Sequence, residues 1–234
     1  MARLRVHNFT ISLDGFAAGP RQHLEEPLGE GGLQLHEWIF QARSMHELQG
    51  RDGGETGVND DLFRARTAGV GATIMGRNMF GPVRGPWPDE SWRGWWGEDP
   101  PFGHDVFVLT HHLRADLAMR NGTAFRFVDA APHQVLDLAM RAAGGQDVVL
   151  GGGPATIRQF LAAGLVDEMH LAIAPVLLGE GERLFGAPAG GYHRLLVLRA
   201  DLFGGHRPRP RHPHARDGQV RDRFCRPPHR RNLL

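Results

Sequence analysis

The chain has 234 residues, 41% hydrophobic and 23% charged, a balance suited to a globular protein with one sizeable core. A single cysteine, Cys225, excludes an internal disulfide framework, and no apolar run reaches bilayer length. The opening MARLRVHNF lacks the apolar segment of a signal peptide, so a cytoplasmic protein with no membrane attachment is expected. The net charge of +1 conceals a division. Residues 206–234 carry nine Arg against two Asp, a formal +7, while residues 1–205 carry eighteen Arg against twenty-four acids, a formal −6. The chain contains no lysine.

Residues 4–11 (LRVHNFTI) are rich in β-formers and read as a first strand, which Asp14-Gly15 ends as a turn. Residues 17–32 read as loop. Residues 33–48 are predicted as one amphipathic helix, with Leu35, Trp38, Ile39, Ala42 and Met45 on one face. Asn59-Asp60 are expected to cap a short helix over 61–67. Residues 72–75 read as a buried strand running into Gly76-Arg77-Asn78-Met79-Phe80.

Residues 81–104 hold four of the five Trp and five Pro, with no element period. Trp87, Trp92, Trp95 and Trp96 either wall a ligand pocket or staple a surface segment or subunit contact, and the second reading is preferred. Strands follow at 106–109, ending at Thr110-His111-His112, and at 125–128. A helix is expected over 132–143.

Residues 147–164 (DVVLGGGPATIRQFLAAG) combine a short strand, three glycines and a helix opened by Pro154, with Gly164 as its left-handed stop. A glycine turn before a helix N-terminus presents free amides to an anion. The alternative is a tight turn that binds nothing. The segment is neither a dinucleotide fingerprint nor a Walker loop. Strands at 169–174 and 195–198, with a loop with strand-like ends over 175–185, complete the pattern. Strands alternating with helices argue for an α/β sheet, largely parallel. Gly76-Arg77-Asn78, Thr110-His111-His112 and Gly151-Gly152-Gly153 each follow a strand's carboxyl end, where such sheets bind ligands. Together they would suit a phosphorylated nucleotide.

The segments NFTISLDG (8–15), TIMGRNMF (73–80), VFVLTHH (106–112) and VVLGGGPATIRQFLAAGLVDEMHLAIAPVLLGEGERLF (148–185) make the chain resemble the dihydrofolate reductase-like superfamily. Within it, the chain is most similar to stand-alone bacterial relatives of the reductase domain of the riboflavin-biosynthesis deaminase/reductase. The resemblance covers roughly residues 3–198. It implies a three-layer α/β/α fold around a central mixed, mostly parallel sheet, and an oxidoreductase using NADPH on a small heterocyclic or sugar-derived substrate. It further implies that Gly151, Gly152, Gly153, Pro154, Ala155 and Thr156 hold the pyrophosphate. Arg77 and Asn78 would hold the adenosine-side phosphate, helped by Thr110 and His111, with Gly76 and Met79 also at the cofactor. Ser12 to Gly15 would lie near the nicotinamide. A homodimer is expected from the same resemblance.

The substrate side departs from dihydrofolate reductases. Those carry a carboxylate on the first helix, three residues before an aromatic pair. Here that step is Leu35, with His36 and Glu37 adjacent. Asp14, His36 and Glu37 are the candidate catalytic groups, Asp14 being most simply a turn residue whose side chain caps local amides. The fourteen His show no metal-ligand spacing, so no metal is expected. Residues 1–205 read as the reductase domain. Residues 206–234, with nine Arg, four His and five Pro, read as a disordered tail. A nucleic-acid arm is the less favoured reading of that tail, and a shifted reading frame past about residue 192 is a third. Resequencing tests the last: alternative frames that encode no alternating apolar strand would rule it out.

Overall fold

Each of the longer strands contains β-branched or aromatic residues, which suit a pleated, half-buried surface. The computed structural model describes residues 1–81 and 84–186. Its sheet is built from β1 (Leu4–Ser12), β3 (Val70–Gly76), β4 (Asp105–Leu109), β5 (Leu117–Ala118), β6 (Ala124–Val128), β7 (Asp147–Gly152) and β8 (Glu168–Ala174). The strand order is β5-β6-β4-β3-β7-β1-β8. Every neighbouring pair is parallel except β5 against β6. A separate antiparallel pair joins β2 (Phe16–Ala18) to β9 (Glu182–Arg183).

Alternation along the strands sorts the core onto two faces. Ala72 and Ile74 of β3, Phe107 of β4 and Val148 and Leu150 of β7 point to one face. There they meet α5 (Pro132–Ala142) and α6 (Pro154–Ala162) through Val135, Ala139, Ile157 and Phe160. Met75, Val106 and Val108 point to the other, where Phe80 of α4 (Arg77–Phe80) packs with Phe125 and Phe127. Over the β1 end of that second face lie α1 (Glu37–Phe40), α2 (Arg43–Leu48) and α3 (Val58–Ala65), cemented by Ile39, Ala42, Met45 and Phe63. Helices thus cover both sides of a mostly parallel sheet, the three-layer arrangement that strand–helix alternation implies.

A bulge in β1 keeps its pattern in register with this core. The pairing of β1 with β8 shifts between Val6 and Phe9, and Asn8 takes a left-handed φ of 54°. The extra residue lets Val6 and Ile11 face the same core despite their odd spacing. The Asn8 amide then donates to the Leu62 carbonyl of α3 at 3.1 Å.

Three local expectations are corrected. The helix read over 33–48 is three pieces, a 3-10 turn at Gly32–His36 followed by α1 and α2. Ala42 is extended, and the backbone of residues 41–43 pairs with Glu55, which breaks the helix despite its apolar period. Asn59 and Asp60 lie inside α3, whose N-cap is Gly57. Asp60 instead accepts from the Ser44 amide at 2.7 Å and so caps α2. The loop over 17–32 contains most of β2. The strand at 195–198 and the tail at 206–234 lie outside the described residues.

Candidate functional site

The chain leaves β3 and β7, adjacent in the sheet, toward opposite faces: α4 follows β3 on one side and α6 follows β7 on the other. The crevice between such strand ends is where open α/β sheets bind ligands. Gly76 ends β3, and a side chain there would fall 2.3 Å from Thr156 Oγ1. The missing Cβ therefore lets the first turn of α6 sit directly over the end of β3. Across the crevice, Met79 packs against Gly151, where an added Cβ would lie 3.2 Å from its sulfur. Gly152 packs against Phe9 and Met79 with φ of +129°, a conformation that favours glycine.

Gly153 differs from these. Its φ of −81° suits any residue, and a Cβ there would meet nothing within 4 Å. It is the N-cap of α6, so no side chain caps the helix, and the first helical hydrogen bond is Ile157 N–H to Gly153 O at 3.1 Å. The amides of Ala155 and Thr156 precede that bond, and Pro154 has none. The helix thus opens on unfilled space with the positive end of its dipole.

β4 ends beside this crevice. Thr110 N–H bonds the Val128 carbonyl at 2.9 Å, and its hydroxyl accepts from the His112 amide at 3.1 Å, which turns the chain away from the sheet. His111 projects into solvent and pairs with Asp129 at 2.9 Å. The predicted cofactor positions Gly76, Met79, Thr110 and Gly151 to Thr156 are thus gathered at three neighbouring strand ends.

Arg77 and Asn78 stand differently from a simple phosphate fork. The Arg77 guanidinium is buried under Trp87, 3.6 Å from the ring centroid, and Nη1 donates to the Gly85 carbonyl. Asn78 is exposed and, with its amide oriented to suit its neighbours, accepts from Arg84 Nη1 and Nη2, both at 3.1 Å. Arg84 also bridges Gln22 at 3.1 Å and Glu182 at 3.0 Å. Neither Arg84 nor Arg114, the second cation on Trp87, was singled out from sequence, because neither falls in a strand-end motif. Trp92 donates to the Phe80 carbonyl at 3.0 Å and Trp96 stacks on Phe125, so the Trp-rich segment is stapled to the second core.

The nicotinamide-side residue Ser12 and the catalytic candidates are dispersed in role. Ser12 is fully buried: its hydroxyl donates to Asp14 Oδ1 at 2.5 Å and accepts from the Phe16 amide at 2.9 Å. The Asp14 carboxylate also accepts from the amides of Leu178 at 3.1 Å and Gly179 at 2.7 Å. The Ser12 hydroxyl first, with the amides of Gly179 and Leu178, holds its pKa down to about 2. Asp14 is a loop clamp, ionised at neutral pH, and its geometry argues against proton donation. His36 ends the 3-10 turn, and burial pushes its pKa down to about 4 against a smaller opposing effect from the Gly32 backbone. It is neutral at pH 7. Glu37 is exposed in the first turn of α1. Among the described residues, no group of three or more His, Cys, Asp or Glu could hold a metal ion, and no helix is long and apolar enough to cross a membrane.

Three comparisons bear on this arrangement. Over 41 residues the chain is 54% identical to the uncharacterized protein YyaP of Bacillus subtilis, a stretch covering 18% of this chain and 22% of that one. The match therefore spans about a fifth of that relative's length. Among solved structures, a putative riboflavin biosynthesis protein from Shewanella sp. PV-4 is 22% identical, with 82% of this chain and 86% of that one covered at a TM-score of 0.49. A pyrimidine reductase-like protein from Corynebacterium diphtheriae is 16% identical over 82% and 83%, with a TM-score of 0.45. RibD of Acinetobacter baumannii is 19% identical over 80% of this chain and 50% of its own, with a TM-score of 0.43. These structural likenesses are too distant to carry chemistry. The family match is of another order, covering residues 5–195 and with them every strand-end junction of the crevice. The chain belongs to the RibD C-terminal domain family, a family of reductase domains.

Proposed function

We propose that the chain is an NADPH-dependent reductase that delivers hydride to a C=N or C=O carbon of a small heterocyclic or sugar-derived substrate, of the 5-amino-6-(5-phosphoribosylamino)uracil reductase type. The observation that carries the reading is Gly153. Its φ and ψ are those of ordinary extended backbone and a Cβ there would meet no neighbour within 4 Å, and it stands at an uncapped helix N-terminus over open space. The space beside it is free for a ligand at a point where amides and dipole favour an anion.

NADPH, when bound, would supply the hydride. The chain's own share is to bind, orient and exclude water. The amides of Ala155 and Thr156 would take a pyrophosphate, while Gly76 keeps α6 close enough for this site to share a crevice with the ends of β3 and β4. The Ser12–Asp14 turn, locked to residues 178–179, would form a rigid floor between cofactor and substrate. Neutral His36 would offer a hydrogen bond rather than a charge.

A thermal-shift titration with NADPH, NADH and flavins tests this reading, and the absence of any response to NADPH would end it. A cofactor-binding module without turnover is the second reading. It is favoured by the clamped state of Asp14 and the apolar Leu35 at the position of the missing helix acid. NADPH binding without oxidation across pyrimidine, pterin and carbonyl substrates would select it.

A further inference from the structure

The N-terminus of α6 and the turn that follows β1 belong to different parts of the sheet, and two arginines join them. Arg158, at the start of the second turn of α6, donates from Nη1 to the Arg183 carbonyl of β9. Arg183 donates from its own Nη1 to the Asp14 carbonyl at 2.7 Å, and its guanidinium lies over the Phe16 ring, 4.1 Å from the centroid. The Leu184 amide closes the same frame on the Gly15 carbonyl at 3.1 Å. The polar path from helix to turn is Arg158, Arg183, Asp14.

Among the described residues, the Arg158 bond is the one polar link from a side chain of α6 to another element. The rest of its anchorage is apolar, with Ile157 and Phe160 in one core with Ala17 and Leu184. Apolar burial is non-directional and holds the helix against the sheet, whereas a hydrogen bond fixes geometry. Both arginines are exposed, and the acids beside them are already engaged. Asp14 accepts from Ser12, Leu178 and Gly179, and Glu182 pairs with Arg84. Each guanidinium is directed instead at a main-chain carbonyl that water could serve, so the bonds add little stability. What they supply is position.

We propose that Arg158 and Arg183 are positioning residues, a strap that sets the helix end where a dinucleotide's pyrophosphate binds against the turn where its nicotinamide lies. The strap rests on the nucleotide-cofactor reading above and names the side chains that keep the two ends of that site in register. A ligand that spans both ends binds at full strength only while their separation matches its own length. One that reaches the helix end alone does not sense the strap. Hydride transfer also needs the reacting carbons in near-attack geometry, where a misplacement of about 1 Å is costly, so the same bonds bear on turnover.

The test compares NADPH, which spans both ends, with adenosine 2′,5′-bisphosphate, which lacks the nicotinamide half. Both are titrated calorimetrically into the full chain and its Arg158→Met, Arg183→Met and doubly substituted forms. Methionine keeps an unbranched stem and a sulfur that packs on Phe16, but donates no hydrogen bond. Each single variant should bind NADPH about five- to tenfold more weakly, and the bisphosphate within about twofold of the wild type. The double variant should be no weaker than the weaker single, because both residues act through one path. The emission of bound NADPH, excited directly at the nicotinamide, should move back toward that of free cofactor in all three. Arg183→Lys, which keeps a donor for the Asp14 carbonyl, should recover most of the NADPH affinity. Should Arg183→Met not fold, Arg158→Met breaks the same path and is read alone. Unchanged NADPH affinity and emission in the folded Met variants overturn the strap and leave the cofactor reading intact. So does a bisphosphate affinity that falls as far as that of NADPH, the result of a merely structural role. Failure of the wild type to bind NADPH overturns the cofactor reading and the strap with it.

Discussion

The Cβ that Gly76 lacks would fall 2.3 Å from the Thr156 hydroxyl, so the end of β3 and the first turn of α6 are in contact only because residue 76 is glycine. Thr156 is short and branched and cannot swing clear as a long side chain would. Gly76→Ala should cost about 1–3 kcal/mol of stability, the usual penalty for overpacking. Combining it with Thr156→Ala should restore much of that loss, since the offending atom is then gone. A double-mutant cycle from denaturant melts measures the coupling. Additive effects would show that the two residues do not meet.

Gly153 offers a test in which stability and binding move in opposite directions. Its φ and ψ are extended and its Cβ direction is empty, so the Gly153→Asp side chain meets no neighbour and supplies α6 with the side-chain cap it lacks. The variant should gain a few tenths of a kcal/mol, the difference between a glycine and an Asp N-cap. The same carboxylate would occupy and repel the anion position, so NADPH affinity should fall more than about tenfold, or ~1.4 kcal/mol. A stabilised variant that binds NADPH as the wild type does would remove the helix terminus from the site.

Local signals account for what could be read before the fold was known. The strands read at 4–11, 72–75, 106–109, 125–128 and 169–174 and the strand–Gly-Gly-Gly–Pro–helix unit are encoded by neighbours in the chain, and they stand where the residues place them, whereas β2 and β5 carried no such signal. The break between α1 and α2 is not, because it depends on backbone pairing of residues 41–43 with Glu55. Asp60 looked like a cap for its own helix and caps another, since its Ser44 partner is distant in sequence. At the site the same divide holds. The three glycines announce a turn, though Gly151 and Gly152 end β7 and only Gly153 stands between strand and helix, whereas the Arg77–Trp87–Arg114 stack joins residues that no spacing rule connects. Asp14 gives no sign in sequence of accepting from Leu178, 164 positions away.

Asp14→Asn tests the loop clamp through pH. The folded pKa is depressed from 3.8 to about 2, so the carboxylate's contribution is fully present above the ordinary value and lost as pH falls through about 2. The wild type should melt above Asp14→Asn at neutral pH, with the gap narrowing between pH 3.8 and about 2. An amide cannot accept from Ser12, Leu178 and Gly179 through two anionic oxygens, which is why the gap exists. A gap that instead closes near neutrality would mean that Asp14 titrates there and is available as an acid.

His36 supplies the last prediction, with a window one step higher. Its folded pKa is about 4 against an ordinary 6.5, because the buried imidazole resists charging. Below 6.5 the unfolded chain takes up a proton that the folded chain refuses, so stability falls with pH across that interval and levels off near 4. The slope from this residue approaches one proton, or about 1.4 kcal/mol per pH unit at its steepest. His36→Gln cannot ionise and should flatten that part of the curve, as read from denaturant midpoints at several pH values. If a reduction carried out by this chain draws its proton from His36, the activity of the wild type should rise as pH falls toward about 4 while that of His36→Gln stays low. If His36 only donates or accepts a hydrogen bond in its neutral form, activity should be level across the same interval, and His36→Gln should raise KM more than it lowers kcat.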